Sequence, residues 1–497
     1  MDLAPPRQSA KMDRLTALIE AHGRAATSFQ CLGPGLEIWF HPDGDAAVCY
    51  VPTGKSWVGA GEPICDEERL PDVLAAFADE AKSKGRRAIF FAAEQRLVDS
   101  CRKGPAKGRF TWIKIGEQGS FDPQAWSLIG RKRRTLRSQV NRAANHGVVI
   151  REATPEEVAP EGLLRRACER LMDAWRDSRP MSLMGFLVDL HPFDYPLKRR
   201  YFVALKGSEL VGLLAAVPVY ARNGWFLEDL IRHPEAPNGT AESLVHAALE
   251  AFKDAKADYA TVGLAALSGG RADPENRAGQ GVRPWLPRVF EFSYEHLGAF
   301  YSFKGLRAFK DKLRPDEWEP VYMLVSPPKI RPRIISDMLT AFVPGSRLQF
   351  TLDSLVRVIR AQLVRVPDGL WSAAAWAFSL LLVPWMVLLL SVDPIRRFGT
   401  DWLPTAWVSF DTMMALFFAL LAYALPRWKR FAWSLSRIML GAVLADFWLT
   451  SAQVLLFNLP GATHVFDVIV GLVAMTAPAA ASIFLGLLVI KLRPGSL

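Results

Sequence analysis

Two acids interrupt an otherwise apolar run in Gly224-Trp225-Phe226-Leu227-Glu228-Asp229-Leu230-Ile231-Arg232, and the chain then passes through His233-Pro234-Glu235-Ala236-Pro237-Asn238-Gly239 to Thr240. A carboxylate inside an apolar strand is costly without a cation, which makes Arg232 the natural local partner of Asp229. Strand alternation would turn Glu228 to the other face. A strand end leading into a helix is where an α/β fold presents a ligand site, and backbone N–H groups near Asn238, Gly239 and Thr240 suit an anionic group. A purely structural ion pair between Asp229 and Arg232 is the alternative reading of the same residues.

Two basic tracts accompany this stretch. Gly130 to Arg142 holds Arg131, Lys132, Arg133, Arg134, Arg137 and Arg142 and no acid. Wound as a helix, it places Arg133, Arg137 and Asn141 on one face, with Leu136 and Val140 on the neighbouring one. Such a helix can contact the phosphates of RNA or of an anionic membrane, or can simply be a solvated surface. In Phe300-Tyr301-Ser302-Phe303-Lys304-Gly305-Leu306-Arg307-Ala308-Phe309-Lys310-Asp311-Lys312, the cations Lys304, Arg307 and Lys310 cluster among aromatics if a helix begins there.

Other chemistries lack their residues. There is no His-Glu-x-x-His, nucleophile elbow or P-loop, and the eight histidines are dispersed. No metal is therefore expected. Five cysteines without a Cys-x-x-Cys pair support neither a disulfide framework nor a thiolate cluster. The first twenty residues lack the layout of a secretory signal, so the N-terminal part is expected in the cytosol. A formal charge of +10 and a pI near 9.4 favour an anionic partner.

The elements that must position these residues alternate between strand and helix patterns. Strand-like runs at Leu36–Phe40, Ala46–Val51 and Ala88–Ala92 alternate with a helical run at Leu70–Lys84. Tyr201–Leu205, Leu210–Val219 and Trp225–Ile231 read as successive strands joined by turns at 206–209 and 222–224, and Thr240–Lys256 follows as a helix. Meander, loop, helix is the central order of the GNAT acyltransferase fold, and residues 28–120 are expected to form a second such lobe. Acetyl-CoA-dependent members carry a glycine-rich pyrophosphate loop that Arg232-His233-Pro234-Glu235-Ala236-Pro237 does not match, which argues against coenzyme A. The expected organisation is a helical segment over 1–27, a first lobe over 28–120, a basic amphipathic helix in 121–150, a second lobe with the active site over 151–325, a basic linker over 326–370, and a membrane region over 371–497.

In that last region the long uncharged stretches suffice to cross a hydrocarbon core about 30 Å thick at about 1.5 Å per residue, and four transmembrane helices are expected. Arg357, Arg360 and Arg365, then Arg427, Lys429 and Arg430, then Lys491 and Arg493 flank the same side, although Arg396 and Arg397 fall in the opposite loop. An arrangement with both termini in the cytoplasm fits best. Asp446 within the third span should face the bundle interior or a partner.

Together, Asp229-Leu230-Ile231-Arg232, Ala236-Pro237-Asn238-Gly239-Thr240, Phe303-Lys304-Gly305-Leu306-Arg307-Ala308-Phe309-Lys310 and Trp318-Glu319-Pro320 resemble the C-terminal domain of the phosphatidylglycerol lysyltransferases. The resemblance covers about residues 28–325 and takes in Gly130–Gly147, Trp175 and Pro180-Met181-Ser182. It implies tandem GNAT-like lobes that move an aminoacyl group from charged tRNA to phosphatidylglycerol, which adds positive charge to the membrane and lowers its affinity for cationic antimicrobial peptides. By position it implies that Asp229 holds the aminoacyl α-ammonium with Arg232 beside it. It sets Lys304 and Arg307 next to the tRNA and lipid-phosphate path, with Glu228, Asn238, Gly239, Thr240 and Lys310 as further substrate contacts. It implies no cofactor beyond the aminoacyl-tRNA co-substrate, an anionic phospholipid as partner, and a multi-pass protein of the bacterial inner membrane with its soluble part in the cytoplasm. In that family a translocase module precedes the synthase, whereas here four helices follow it. A transferase acting on a peptidoglycan precursor, and a non-catalytic lipid- or RNA-binding module on a membrane scaffold, are the competing readings.

Overall fold

Alternating apolar residues along short β-prone runs build, among the described residues, one sheet of eleven strands. In the computed structural model of the chain these are β1 (Glu37–Phe40), β2 (Ala47–Thr53), β3 (Ser56–Ala60), β4 (Arg87–Glu94), β5 (Thr111–Phe121), β6 (Val148–Ala153), β7 (Arg200–Lys206), β8 (Glu209–Val219), β9 (Gly224–Arg232), β10 (Tyr259–Ala266) and β11 (Glu317–Ser326). Their spatial order is β1-β2-β3-β4-β11-β5-β10-β9-β8-β7-β6. The structure describes residues 6–178, 185–188, 190–266, 303–342, 366–391, 400–460 and 464–492, with isolated residues at 356, 359, 360, 362–364 and 462.

The sheet is continuous, and β11 crosses back from the end of the soluble part to lie between β4 and β5. In the first half, Val73, Leu74 and Phe77 of helix Leu70–Ser83 pack on Phe90 and Leu324. On the other face, Ile334 and Met338 of helix Pro332–Phe342, within the stretch expected to be a linker, pack on Val58, Ile89 and Met323. Each such fully buried Leu, Ile or Phe side chain contributes about 1.5–3 kcal/mol, which fixes these helices to the sheet.

The second half is the GNAT-like lobe. Helix Thr240–Asp254 places Leu244, Val245 and Ala248 against Phe202, Leu214 and Leu227, together with Leu136 and Ala143 of helix Arg134–Asn145. Helix Arg165–Asp177 covers the opposite face through Cys168, Leu171 and Met172, which meet Tyr201, Leu213 and Ile231. All five cysteines are buried free thiols.

Residues 355–497 form a separate compact unit. Its helices Asp368–Ser391, Leu403–Ala424, Lys429–Gln453 and Val465–Leu492 are long and apolar enough to cross a membrane, the third running on through a π-helical turn to Asn458. Asp368, opening the first helix, meets Lys429 at 3.4 Å and Lys491 at 2.7 Å. The start of the first helix, the start of the third and the end of the fourth therefore share one end of the bundle, as the cation spacing led us to expect. Arg357, Arg365, Arg396, Arg397 and Arg493 lie outside the described residues.

Candidate active site

The site begins where two parallel strands part. β9 pairs with β10 only through Gly224–Tyr259, Trp225–Ala260 and Phe226–Thr261, after which β9 continues to Arg232 beside β8 alone. β10 stays with β5, through an irregularity between Thr261 and Leu264. The result is a wedge between β9 and β10 that opens immediately after Phe226.

On the β9 wall, the ladder to β8 runs Ala215–Asp229 and then Ala216–Leu227, so Glu228 is an extra, bulged residue. Regular alternation would put Glu228 and Asp229 on opposite faces. The bulge cancels that alternation, and both carboxylates reach one guanidinium. Arg199 Nη1 is ion-paired with Glu228 Oε2, and Asp229 Oδ2 lies 4.0 Å from the same nitrogen. Arg199 is 7% exposed and Asp229 3%, so this is a desolvated cluster. Arg199 is itself held by its Nε–H, which donates to the Asp194 carbonyl at 2.7 Å, and by the Phe29 ring, 5.3 Å from its guanidinium carbon.

Arg232 is not the partner of Asp229. Residues three apart on a strand face opposite sides, and Arg232 donates instead to the Ala236 carbonyl at 3.2 Å, closing the loop that leads to helix Thr240–Asp254. That loop is tightly built. Thr240 is fully buried with its hydroxyl donating to the Pro237 carbonyl at 2.7 Å, and only Asn238 of the three expected anion contacts is exposed. Gly239 sits at φ +96°, where a Cβ would lie 2.0 Å from the Gln139 carbonyl oxygen. Gly239 and Thr240 thus seat helix Thr240–Asp254 against the basic helix. Gly239→Ala is expected to cost about 2–3 kcal/mol, combining left-handed strain with separation of the two helices, read as a lowered denaturation midpoint.

On the β10 wall, Lys310 from helix Phe303–Lys312 is buried and donates to the carbonyls of Gly263 and Leu264, each at 2.9 Å. Burial brings its ammonium down to about 7. Its position fixes the irregular turn of β10, where Gly263 adopts φ +69° beneath the Phe226 ring. Arg307 is engaged as well: it is ion-paired with Glu117, bonded to Asp311 at 3.1 Å, and lies 3.5 Å over the Trp318 ring. Lys304 belongs to the same helix, but its side chain lies outside the described residues, as do Pro180-Met181-Ser182 and residues 300–302.

The basic helix divides by face. Arg133 is ion-paired with Asp316 at 3.0 Å and stacked over Trp126, and Arg137 donates to the Leu128 carbonyl at 2.7 Å. Those two cations anchor the preceding loop. Arg131, Lys132, Arg134 and Arg142 remain exposed, and Arg134, Asn141, Arg142, Asn145 and His146 line a shallow surface depression.

A second buried charged cluster joins the two halves of the sheet. Arg222 bonds Glu94 at 2.8 Å and Glu319 at 3.2 Å, while the Gln118 amide donates to both carboxylates and the Tyr259 hydroxyl donates to Glu319 at 3.1 Å. Burial, with Glu62 and Glu319 close by, pushes the Glu94 carboxyl up to about 7, although Arg222 and Arg96 pull the other way. The folded chain then keeps a proton that the unfolded chain releases near its ordinary 4.5. This contribution to stability is complete below that value and is lost as pH rises through about 7. Glu94→Gln is expected to flatten the fall in unfolding free energy over that window, measured by urea titration at a series of pH values.

Comparison with known proteins identifies the family of this fold. The family model for the phosphatidylglycerol lysyltransferase C-terminal domain matches residues 16–325. Phosphatidylglycerol lysyltransferase of Bacillus subtilis is 26% identical over 322 residues, which are 64% of this chain and 35% of that protein. The lysylphosphatidylglycerol biosynthesis bifunctional protein LysX of Mycolicibacterium gilvum is 24% identical over 299 residues, 59% of this chain and 26% of its own length. The chain thus spans about a quarter to a third of these relatives. Among solved structures, a C-terminal domain (DUF2156) from Agrobacterium fabrum superposes with a TM-score of 0.56 at 24% identity, covering 68% of this chain and 99% of that one. L-PGS from Bacillus licheniformis superposes with a TM-score of 0.54 at 22% identity, covering 68% and 95%. With its model matched across most of the soluble unit, this chain belongs to the phosphatidylglycerol lysyltransferase C-terminal domain family.

Proposed function

We propose that the chain moves an aminoacyl group from charged tRNA to a hydroxyl of an anionic membrane phospholipid, phosphatidylglycerol being the acceptor and lysine the amino acid to test first. The observation that carries this reading is the buried Glu228–Asp229–Arg199 cluster on a bulged strand at the mouth of the β9/β10 wedge. A negatively charged, desolvated wall suits the α-ammonium of an aminoacyl ester, with Asp229 as the group that holds it and Arg199 as the residue that orients both acids. The names of the relatives, which specify lysyl transfer to phosphatidylglycerol, point the same way.

The chemistry asks little beyond placement. The lipid hydroxyl oxygen forms a bond to the ester carbonyl carbon, the bond from that carbon to the tRNA ribose oxygen breaks, and the proton of the lipid hydroxyl passes to the departing ribose oxygen. One ester replaces another, so orientation and electrostatics supply most of the acceleration and no covalent enzyme intermediate is needed. The exposed cations of helix Arg134–Asn145 offer the phosphates of the donor a binding face. The apolar bundle keeps the acceptor near by, in a bacterial inner membrane with the soluble unit on the cytoplasmic side. The product lowers the negative charge of the membrane and with it the binding of cationic antimicrobial peptides.

The exposed cations give a direct test of the donor. Arg134→Glu combined with Arg142→Glu is expected to weaken charged-tRNA binding at least about tenfold at low salt and to flatten its salt dependence, because fewer phosphates are neutralised. Filter binding across a salt series reads both quantities. Unchanged binding and slope would remove tRNA from this face.

A further inference from the structure

The four apolar helices surround a partly open cavity of about 690 Å³, whose described lining residues all belong to that unit. Its wall is mostly apolar and aromatic, with Trp385, Trp407 and Phe410 among the larger side chains, and its charged groups include Asp411 on the second helix and Asp446 on the third. Asp446 accepts a hydrogen bond from Thr450 at 2.9 Å. Asp411 is 7% exposed, and among the described residues neither a donor nor a cation meets its carboxylate; the charge acting on it is that of Asp446, another acid.

Acids at this depth are expensive and are retained where something uses them. Among the described residues no cation meets either carboxylate, and a cationic group from outside the protein would complement them. The size of the cavity narrows what that is. Small organic ligands occupy sites of roughly 300–1,000 Å³, and such sites are apolar with a few converging polar groups, which is the lining seen here. An inorganic cation instead asks for a close ring of oxygens, commonly about six or more, and fills a small fraction of this space.

We propose that this cavity binds a membrane amphiphile with an ammonium headgroup, the ammonium lying between Asp411 and Asp446 and the alkyl portion along the aromatic wall. An aminoacylated phospholipid is such an amphiphile, so the site suits the product of the reaction proposed above. The cavity and its acids stand without that reaction.

The test uses the full chain in phosphatidylcholine nanodiscs and a photoactivatable alkylamine, a diazirine-bearing dodecylamine, with labelled peptides mapped by mass spectrometry. Labelling is expected on helices Leu403–Ala424 and Lys429–Gln453, competed by dodecylamine and not by dodecanol. Asp411→Asn with Asp446→Asn, which keeps side-chain volume, is expected to reduce it by about tenfold or more, the factor set by losing one charge-assisted contact. Equal competition by dodecanol would reduce the cavity to an apolar void, and competition by potassium or calcium chloride would make it an inorganic-cation site; either overturns the proposal. The competition arms use the unaltered protein, so they decide the matter even if the double variant fails to fold. Because the probe is a simple alkylamine, a negative result leaves lipid aminoacylation standing, and failure of aminoacylation leaves this site standing.

Discussion

Asp229→Asn is expected to lower aminoacyl-lipid formation by about 10²–10³-fold while leaving the chain folded, the loss typical of removing one preorganised electrostatic contact. The substitution keeps shape and a polar tip, and Glu228 still neutralises Arg199. The charge of Asp229 disappears. Single-turnover transfer with saturating charged tRNA separates this from a binding defect: a fall confined to KM for the donor would mean that Asp229 acts in ground-state binding alone. Retention of full transfer would take Asp229 out of the site.

Arg199→Met carries the second large effect. Two acids, one of them 3% exposed, would lose the cation that both face. Removing one partner of a buried charge cluster costs about 3–5 kcal/mol at neutral pH, because the remaining charges stay desolvated. Adding Glu228→Gln to Arg199→Met removes one of the stranded charges and is expected to recover part of the stability without recovering transfer. Recovery of both would make Arg199 a structural counter-ion with no part in placing the acids. Urea midpoints for the two variants and the unaltered protein, paired with transfer rates, distinguish the two outcomes.

Local pattern made much of the scaffold legible. Alternation and turn residues located β7, β8, β9 and helix Thr240–Asp254 to within a residue or two, and long apolar stretches, the second and third carrying Asp411 and Asp446, located the four long helices. Those signals are short-range, so the chain carries them in full. The site depended on something else. Asp229 stood out because an acid in an apolar strand is conspicuous, but its cation came from 30 residues upstream, in the Lys198-Arg199-Arg200 run before β7, and sequence spacing pointed to Arg232 instead. A one-residue bulge then overrode the alternation that set Glu228 on the far face. Bulges follow from the register of the neighbouring strand, and nothing in Glu228-Asp229 announces one.

The same limit applies to Lys310 and Arg307. Their spacing among aromatics marked a basic helix, yet Lys310 is spent on the carbonyls of β10 and Arg307 on Glu117 and Asp311. Glu319, noticed only as part of a Trp-Glu-Pro motif, meets Arg222 across 97 residues of chain. The insertion of β11 between β4 and β5 likewise rests on long-range pairing. Cation-rich segments advertise themselves in a sequence; whether each cation faces solvent or a buried carbonyl is decided by tertiary packing.

The central claim is aminoacyl transfer from tRNA to a membrane lipid. The most direct measurement incubates the purified full chain with phosphatidylglycerol vesicles and lysyl-tRNA, then each other charged tRNA in turn, and follows the lipids by mass spectrometry. The expected result is a new lipid heavier than phosphatidylglycerol by one aminoacyl residue, formed with at least one donor, absent after RNase treatment and absent with Asp229→Asn. No new lipid with any charged tRNA, in these vesicles or in a total bacterial lipid extract, would contradict it.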